Sequence, residues 1–191
     1  MNNLLKLIYT LGKNLKEEIT LRELSVQAKV AYTTAYREVM FNKDIFIINK
    51  KANINLCSLN LKDSITKNYL IIAEREIAKE FLKNNKIFSL IKKELVEGDY
   101  SLVLFGSRAE GKEREKSDID LCIINKEGKK VIKLDKFESL FDLEINPIYL
   151  SRQEFQAMIK ESEENLAKQI IKKHIVLYGE EYFWRLILND I

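Results

Sequence analysis

Two aspartates separated by one residue are the feature of this sequence that most directly suggests chemistry. Asp118 and Asp120 flank Ile119 within an apolar run that is typical of a buried strand. Residues two apart on a strand point to the same face of the sheet, so the two carboxylates are predicted to lie side by side. Carboxylates this close repel each other unless a cation lies between them. The pair therefore predicts a site for a divalent cation such as Mg²⁺, with phosphate oxygens in its coordination shell.

A glycine and a serine come directly after the preceding predicted strand, Ser101–Phe105. Gly106 has no side chain, so the backbone amides of this turn can approach phosphate oxygens closely. A helix that begins at Ser107 would add the favourable polarity of its N-terminus toward an anion. We therefore predict that Gly106 and Ser107 bind phosphate oxygens.

A third acid is expected from a neighbouring strand. Residues 139–150, SLFDLEINPIYL, alternate polar and apolar positions and supply Asp142, Glu144 and Asn146. Asp142 and Glu144 are two residues apart and share one predicted strand face, so spacing alone does not decide between them.

The loop after Gly106 also has the beginning of a phosphate-binding P-loop. The spacing from Gly106 to Lys112 is G-x-x-x-x-G-K, but Glu113 stands where a Ser or Thr should reach magnesium. The negative charge of Glu113 would oppose the phosphates, so the P-loop interpretation fails. The nearby cations, Arg108, Lys112 and Arg114, could contact bound phosphates or form a solvated loop with Glu110, Glu113 and Glu115, and the second interpretation is favoured.

The whole string resembles the signature of the minimal nucleotidyltransferases of the DNA polymerase beta-like superfamily. The matching positions are Gly106, Ser107, Ala109 and Gly111, followed by Ser117-Asp118-Ile119-Asp120-Leu121. Three further segments resemble a subgroup in which a helix-turn-helix precedes this domain: Glu144-Ile145-Asn146-Pro147, Arg152-Gln153-Glu154-Phe155 and the ending HIVLYGEEYFWRLI. In that subgroup the acid at the Glu144 position lies on the third-carboxylate strand, so the resemblance favours Glu144 over Asp142.

The resemblance implies Mg²⁺-dependent transfer of a nucleoside monophosphate, AMP from ATP, to a hydroxyl group of a protein or an RNA. Asp118 and Asp120 would hold an ion that bridges the β- and γ-phosphates, which lie against Gly106 and Ser107. Asp120 and Glu144 would hold a second ion that lowers the pKa of the acceptor hydroxyl. That hydroxyl attacks the α-phosphate and pyrophosphate leaves.

Residues 1–60 are predicted to form three helices followed by a hairpin. The first helix has an apolar stripe, and the second begins with a capping-box pattern, Thr20-x-x-Glu23. The third spans the sequence AYTTAYREVMF, with Ala35 and Val39 facing inward. The polar residues 49–51 are predicted to form the turn of the hairpin. This order of elements resembles a winged helix-turn-helix domain.

In such a domain the third helix enters the DNA major groove and the hairpin contacts the phosphate backbone. The predicted DNA-facing residues are Tyr32, Thr33, Thr34 and Arg37, and the predicted phosphate contacts are Lys43, Lys50 and Lys51. Residues 1–60 contain nine Lys/Arg and five Asp/Glu, a net charge of +4, whereas the remaining residues contain 23 and 24, a net charge of −1. The alternative is a small helical module for protein contacts.

We therefore predict an α+β protein with three parts. They are a winged helix-turn-helix over 1–60, a helical connector over 61–98, and a nucleotidyltransferase domain with C-terminal helices over 99–191. The transferase domain is expected to contain a short mixed sheet flanked by helices. The connector is predicted to be a stiff helix with a repeating apolar side formed by Tyr69, Ile72, Ile77 and Phe81.

The C-terminal segment is predicted to be structural. Ser151–Lys173 is expected to form an amphipathic helix with Phe155, Ile159, Leu166 and Ile170 inward, and His174 at its end is assigned a structural role. The aromatic residues that follow are expected in a core or an interface, with stacking on a substrate base as the alternative. These residues are Tyr178, Tyr182, Phe183 and Trp184.

Composition excludes several classes of protein. No apolar run approaches the roughly 18 residues of a transmembrane helix, and the N-terminus lacks the order of a signal peptide. The two cysteines, Cys57 and Cys122, are predicted to be buried free thiols, which fits a reducing cytoplasm. The expected partners are DNA, a protein or RNA acceptor, and a helical partner protein or a second copy of the chain, as in a toxin–antitoxin pair. No membrane partner is expected.

The alternative function is a transcriptional regulator whose transferase-like domain only binds a nucleotide.

Overall fold

The computed structural model describes residues 1–15, 17–112 and 117–188, and the contacts within it divide the chain into two units. The first is Met1–Glu76 and the second is Ile77–Ile191. Each unit has its own small sheet with helices around it. The prediction of an α+β protein is therefore confirmed.

Three short helices open the first unit, and they form where apolar residues recur at helical spacing. They are α1 (Asn3–Gly12), α2 (Leu21–Gln27) and α3 (Tyr32–Phe41). The predicted capping box at the start of α2 is confirmed, because Thr20 Oγ1 accepts from the Glu23 amide at 3.1 Å and Glu23 Oε2 accepts from the Thr20 amide at 2.9 Å. Ala35 and Val39 of α3 are fully buried, as predicted.

The sheet of the first unit has three antiparallel strands in the order β1-β3-β2. They are β1 (Ile19–Thr20), β2 (Phe46–Lys51) and β3 (Ile54–Leu59). The predicted turn at 49–51 is wrong, because these residues pair with β3 up to Lys51 opposite Ile54, which leaves Ala52 and Asn53 as the turn. β2 lies at the edge of this sheet, so its polar side chains stay in water while its backbone completes the pairing.

The region predicted as a helical connector contains α4 (Ser64–Asn84) and α5 (Lys86–Lys93). α4 continues past Glu76, the last residue of the first unit. Ile72, predicted on its apolar side, is exposed, and the buried positions nearby are Leu70 and Ala73. None of the helices in the described part of the chain combines the length and apolar character needed to cross a membrane.

The second unit is built on a mixed four-stranded sheet, as predicted for this part of the chain. Its strands are β4 (Tyr100–Phe105), β5 (Ile119–Asn125), β6 (Ile145–Ser151) and β7 (Ile175–Tyr178), in the order β6-β5-β4-β7. β5 and β6 run parallel, whereas β4 is antiparallel to both of its neighbours. β7 was not predicted from the sequence, because a four-residue strand between helices has too short an apolar pattern to stand out.

Helices cover both faces of this sheet. On one face, Ile119, Leu121 and Ile123 share a buried cluster with side chains of α5 and of α7 (Asp135–Phe141). On the other face, Cys122 and Ile124 are buried, and α8 (Arg152–Lys160) and α10 (Glu180–Leu188) pack on the strands. The short helix α6 (Gly106–Ala109) follows β4 directly.

The predicted helix over 151–173 is in fact two helices, α8 and α9 (Leu166–Lys172). The acidic stretch between them ends at Asn165, whose side-chain oxygen accepts from the Lys168 amide at 3.1 Å and begins α9. A cap of this kind starts a new helix because it satisfies an otherwise unpaired amide. Phe155, Ile159 and Ile170 are buried as predicted, and Leu166 is half-buried.

His174, Phe183, Trp184 and both cysteines are buried, and Tyr178 packs against another aromatic ring. His174 is fully buried, with Nδ1 2.8 Å from the Ile170 carbonyl oxygen, and its ring packs on Phe183 at 4.8 Å between centroids. Tyr178 stacks on Tyr100 at 4.7 Å. Both cysteines are buried free thiols, as predicted, and burial raises the pKa of Cys57 to about 11 and that of Cys122 to about 12. Such thiols stay protonated and unreactive at neutral pH.

Candidate active site

Asp118 and Asp120 lie at the start of β5, and Asp120 shares the strand face that the buried Cys122 and Ile124 occupy further along. Ile119, Leu121 and Ile123 are completely buried, whereas Asp118 is exposed and Asp120 is half-buried. The alternation of a strand produces this arrangement, because its second face becomes available only where the covering helices end. The structure thus brings the two carboxylates together as the sequence predicted.

The surroundings of Asp120 disfavour the ionised form of its carboxyl group. Burial raises the pKa of Asp120, and the negative charge of Asp118 raises it further. Both causes act against the ionised form of Asp120, so a cation bound between the carboxylates would stabilise that ionised form.

The Gly106 turn packs directly against this pair. Phe105, the last residue of β4, is paired with Asp120 across the sheet, so the turn begins beside that carboxylate. Gly106 has a φ of 71°, and a Cβ built there would lie 2.2 Å from Asp120 Oδ2. Only glycine fits, both because the backbone is left-handed and because the carboxylate fills the space. α6 begins at Gly106, one residue before the predicted start, and Ser107 is half-buried in it.

Of the cations in the following loop, Lys112 is exposed and pairs with a loop glutamate as predicted, whereas Arg108 binds backbone carbonyls instead. The Arg108 guanidinium donates to the Ser117 carbonyl oxygen at 3.0 and 2.5 Å and to that of Asp118 at 3.2 Å. The sequence pattern does not indicate this contact, because it joins two residues that come together only in the folded chain. Lys112 Nζ lies 2.8 Å from Glu110, and Arg114 lies outside the described residues. Arg108 therefore holds the backbone of Ser117 and Asp118 in position.

β6 supplies the other side of the site. Its first residue, Ile145, pairs with Ile119, and the Glu144 carbonyl oxygen accepts from the Ile119 amide at 2.9 Å. The Asp142 backbone is left-handed, with a φ of 51°, and ends α7. The prediction that Asp142 and Glu144 share a strand face is therefore wrong, because a left-handed residue breaks the alternation before the strand begins. Glu144 is exposed at the same end of the sheet as the aspartate pair.

Asn146, which the sequence pattern placed in this strand without a role, is also a residue of the site. It is paired with Asp120 across the two parallel strands, and its Nδ2 donates to Asp118 Oδ2 at 3.5 Å. Its position two residues after Glu144 was the available signal, since residues two apart share a face. Within residues 1–15, 17–112 and 117–188, no three His, Cys, Asp or Glu side chains converge as a group that could hold a metal ion. The described centre consists of two carboxylates and an amide.

The residues predicted to contact DNA belong to the first unit. Tyr32, Thr33 and Arg37 are exposed on α3, and Thr34 is half-buried. Lys50 and Lys51 are exposed on the edge strand β2, where Lys51 Nζ lies 3.6 Å from a Glu18 carboxylate oxygen. Lys43 is exposed in the turn before β2.

The chain was compared with known proteins. The model of the family described as Polymerase beta, Nucleotidyltransferase matches residues 85–182, just over half of the chain. This segment begins immediately before α5 and ends within α10, so it contains the whole four-stranded sheet and the aspartate pair. No curated protein and no solved structure matches the chain.

Proposed function

This chain belongs to the polymerase beta nucleotidyltransferase family, and we propose that it moves AMP from ATP to a hydroxyl group of a protein or an RNA. The observation that carries this proposal is the packing of the Gly106 turn against Asp120, beside Asp118. A phosphate-binding turn next to two carboxylates suits transfer of a nucleotidyl group, because the phosphates then meet the cation that the carboxylates would hold.

Mg²⁺ fits the donor set that these residues offer. Mg²⁺ is commonly held by one or two carboxylates together with substrate phosphates, so a pair of aspartates is sufficient. The raised pKa of Asp120 supports this fit, because a bound cation would offset both burial and the charge of Asp118. We propose that Asp118 and Asp120 hold one ion, and that Asp120 and Glu144 hold a second. When bound, the ions supply neutralisation of phosphate charge and a lower pKa for the acceptor hydroxyl.

The residues of the chain perform the alignment. The Gly106–Ser107 turn holds the β- and γ-phosphates through its backbone amides, with no side chain in the way. Arg108 and Asn146 fix Asp118 from two sides, through its backbone and through its carboxylate. The acceptor oxygen forms a bond to the α-phosphorus, the bond to the bridging oxygen of the leaving group breaks, and pyrophosphate departs. Most of the rate enhancement would come from alignment and charge neutralisation.

The test is transfer of label from ATP labelled at the α-phosphate, with magnesium and candidate acceptors. The wild-type chain is compared with Asp118→Ala/Asp120→Ala and with Asp99→Ala, which removes an exposed acid outside the site. We expect the double variant to lose transfer by about 100-fold or more, because it loses the carboxylates that would hold the cation needed to neutralise the phosphates. Equal transfer by the wild type and the double variant would contradict the site.

We propose in addition that the first unit is a winged helix-turn-helix that binds DNA. Three helices followed by a hairpin, with exposed Tyr32, Thr33 and Arg37 on α3, support this proposal. A groove of about 760 Å³ runs between α2, the start of α3 and the hairpin turn, and is lined in part by Arg22 and Tyr32. Lys50 and Lys51 on the hairpin would contact phosphates, with Lys51 leaving Glu18 to do so.

Duplex binding at several salt concentrations tests this second proposal. Arg37→Ala/Lys50→Ala should weaken binding and flatten its salt dependence, because each lost phosphate contact removes roughly one released counterion. Lys62→Ala, a change of an exposed lysine outside the predicted surface, is the matched control. Unchanged binding by the double variant would count against DNA recognition by this unit and favour a module for protein contacts.

The competing function is a regulator whose second unit only binds a nucleotide. Two carboxylates beside a phosphate-binding turn favour the enzyme, since a sensor has no need of them. Absence of label transfer to any acceptor, together with nucleotide-dependent duplex binding, would favour the regulator.

We further propose that the protein acts in the cytoplasm with a small helical partner, or as a homodimer, that completes the acceptor site. A toxin–antitoxin pair would have this composition. An adjacent gene for a small helical protein whose product co-purifies with this chain would support the pairing; a chain that purifies alone as a monomer and is fully active would oppose it.

A further inference from the structure

A cleft of about 340 Å³ opens beside Gly106, between the start of α6 and the C-terminal end of α9. Gly106 and Glu110 line one side, and Glu164, Lys172 and Lys173 line the other. The cleft therefore adjoins the turn to which the proposed function assigns the nucleotide phosphates, and it brings ammonium groups to that turn from a distant part of the chain.

Each lysine of the cleft is held by a carboxylate. Lys173 Nζ lies 2.8 Å from Glu110 Oε1, and Lys172 Nζ lies 3.0 Å from Glu164 Oε2. Glu110 also accepts from Lys112 at 2.8 Å through its other oxygen. One carboxylate thus joins two ammonium groups from α9 and from the end of the α6 loop.

Glu110 has the surroundings of a bound anion. Hydrogen bonds from Lys112 and then from Lys173 lower the pKa of its carboxyl, so it remains ionised. Its side chain is 22% exposed, whereas those of Lys112 and Lys173 are 71% and 56% exposed. The lysines can therefore reach an incoming ligand while the carboxylate between them stays largely enclosed.

We propose that Lys173, together with Lys112, binds the polyphosphate of the nucleoside triphosphate, and that Glu110 is the internal anion these lysines release when the nucleotide arrives. The inference rests on the proposed function, because it takes the nucleotide to lie at Gly106. A triphosphate carries more negative charge than one carboxylate and offers several acceptor oxygens, so it is the better partner for two ammonium groups. Glu110 then lowers the affinity for the nucleotide, because the nucleotide must displace it from the two lysines.

The test is calorimetric titration of the full chain with inorganic triphosphate, without magnesium and without an acceptor, followed by titration with ATP and with AMP. Lys173→Met should weaken triphosphate and ATP binding by about tenfold, as expected for loss of one charge-assisted hydrogen bond. AMP, which has no polyphosphate, should bind both proteins equally. Lys129→Met is the matched control, because Lys129 forms a similar ion pair with Glu127 at 2.5 Å outside the cleft.

Glu110→Gln provides a gain of affinity that misfolding cannot imitate. It should tighten triphosphate binding several-fold, and this gain should be smaller in the Glu110→Gln/Lys173→Met double variant, because only Lys112 then remains for the glutamate to compete for. The inference is overturned if Lys173→Met binds triphosphate like Lys129→Met, if Glu110→Gln brings no gain or the same gain in both backgrounds, or if the wild type binds no triphosphate. Label transfer to an acceptor is measured separately and decides the proposed function alone.

Discussion

At the residue scale, Gly106 is the position where fold and chemistry constrain each other most closely. A Cβ there would lie 2.2 Å from Asp120 Oδ2 and would also impose a side chain on a left-handed backbone. We expect Gly106→Ala to reduce nucleotidyl transfer by about 100-fold, because a displacement of about 1 Å at a reacting centre has that effect. Steady-state transfer rates measure it.

Gly111 distinguishes the effect of the contact with Asp120 from the effect of a left-handed backbone. It is also left-handed, with a φ of 65°, but a Cβ there would meet no atom within 4 Å. Both Gly106→Ala and Gly111→Ala should lower the free energy of unfolding by about 1–2 kcal/mol, the cost of a left-handed L-residue. Only the first should lose activity; equal losses in both variants would show that strain, and not the contact with Asp120, explains the effect.

Asp120 is predicted to lower stability when no metal is bound. Because its pKa is raised in the folded protein, the folded state holds the proton more tightly than the unfolded state does. The free energy of unfolding therefore falls as the pH rises through that raised pKa. Asp120→Asn should be more stable than the wild type at neutral pH, and this advantage should shrink below the ordinary pKa of an aspartate.

Urea unfolding in the presence of a chelator measures this difference. Asp99→Asn is the control, since Asp99 is exposed and its replacement should change stability by less than about 0.5 kcal/mol. A loss of stability in Asp120→Asn at neutral pH would mean that this carboxylate makes a favourable native contact, and it would contradict the destabilising effect expected from burial and from the charge of Asp118.

At the element scale, the hairpin turn of the first unit has a position that glycine would improve. Ala52 has a φ of 51° in the two-residue turn between β2 and β3. Ala52→Gly should raise the free energy of unfolding by about 0.5 kcal/mol or more, because relief of the left-handed cost exceeds the added backbone entropy. Thermal or urea unfolding measures the change.

The control for this change is Ala157→Gly, at an exposed position inside α8. There the backbone is helical, so glycine should lower stability by about 1 kcal/mol. If both substitutions lower stability, the left-handed conformation of Ala52 is not a cost to the fold.

The sequence predicted the elements whose signals are local. The capping box at Thr20 and the proximity of Asp118 to Asp120 both follow from spacing, and both are present. The alternation of polar and apolar residues failed at Asp142 because a single left-handed residue interrupts it. The hairpin turn was misplaced because polar residues are accepted along an edge strand as readily as in a turn.

Contacts between distant segments could not be predicted in this way. The pairing of Arg108 with the Ser117 carbonyl and of Lys173 with Glu110 depends on how the chain returns after β4 and after α9. Asn146 lies within a predicted strand, but its contact with Asp118 is fixed by the register of two parallel strands. The residue types of the site were visible in the sequence, whereas the groups that position them became visible only in the fold.

At the scale of the whole molecule, a net charge of +3 conceals two different parts. Residues 1–60 carry a net charge of +4 and the remainder −1, and the acids Asp118, Asp120 and Glu144 belong to the second part. The basic part suits the proposed contact with DNA phosphates, whereas the acids suit a bound cation. The overall charge of the chain therefore gives little information about either function.

The central claim is that the group transferred is a nucleotidyl group, and parallel reactions with ATP labelled at the α-phosphate and ATP labelled at the γ-phosphate test it most directly. We expect that the acceptor gains label from the α-position only, that pyrophosphate appears in equal amount, and that Asp118→Ala/Asp120→Ala abolishes both. Label on the acceptor from the γ-phosphate, or transfer that survives the loss of both aspartates, would contradict the claim.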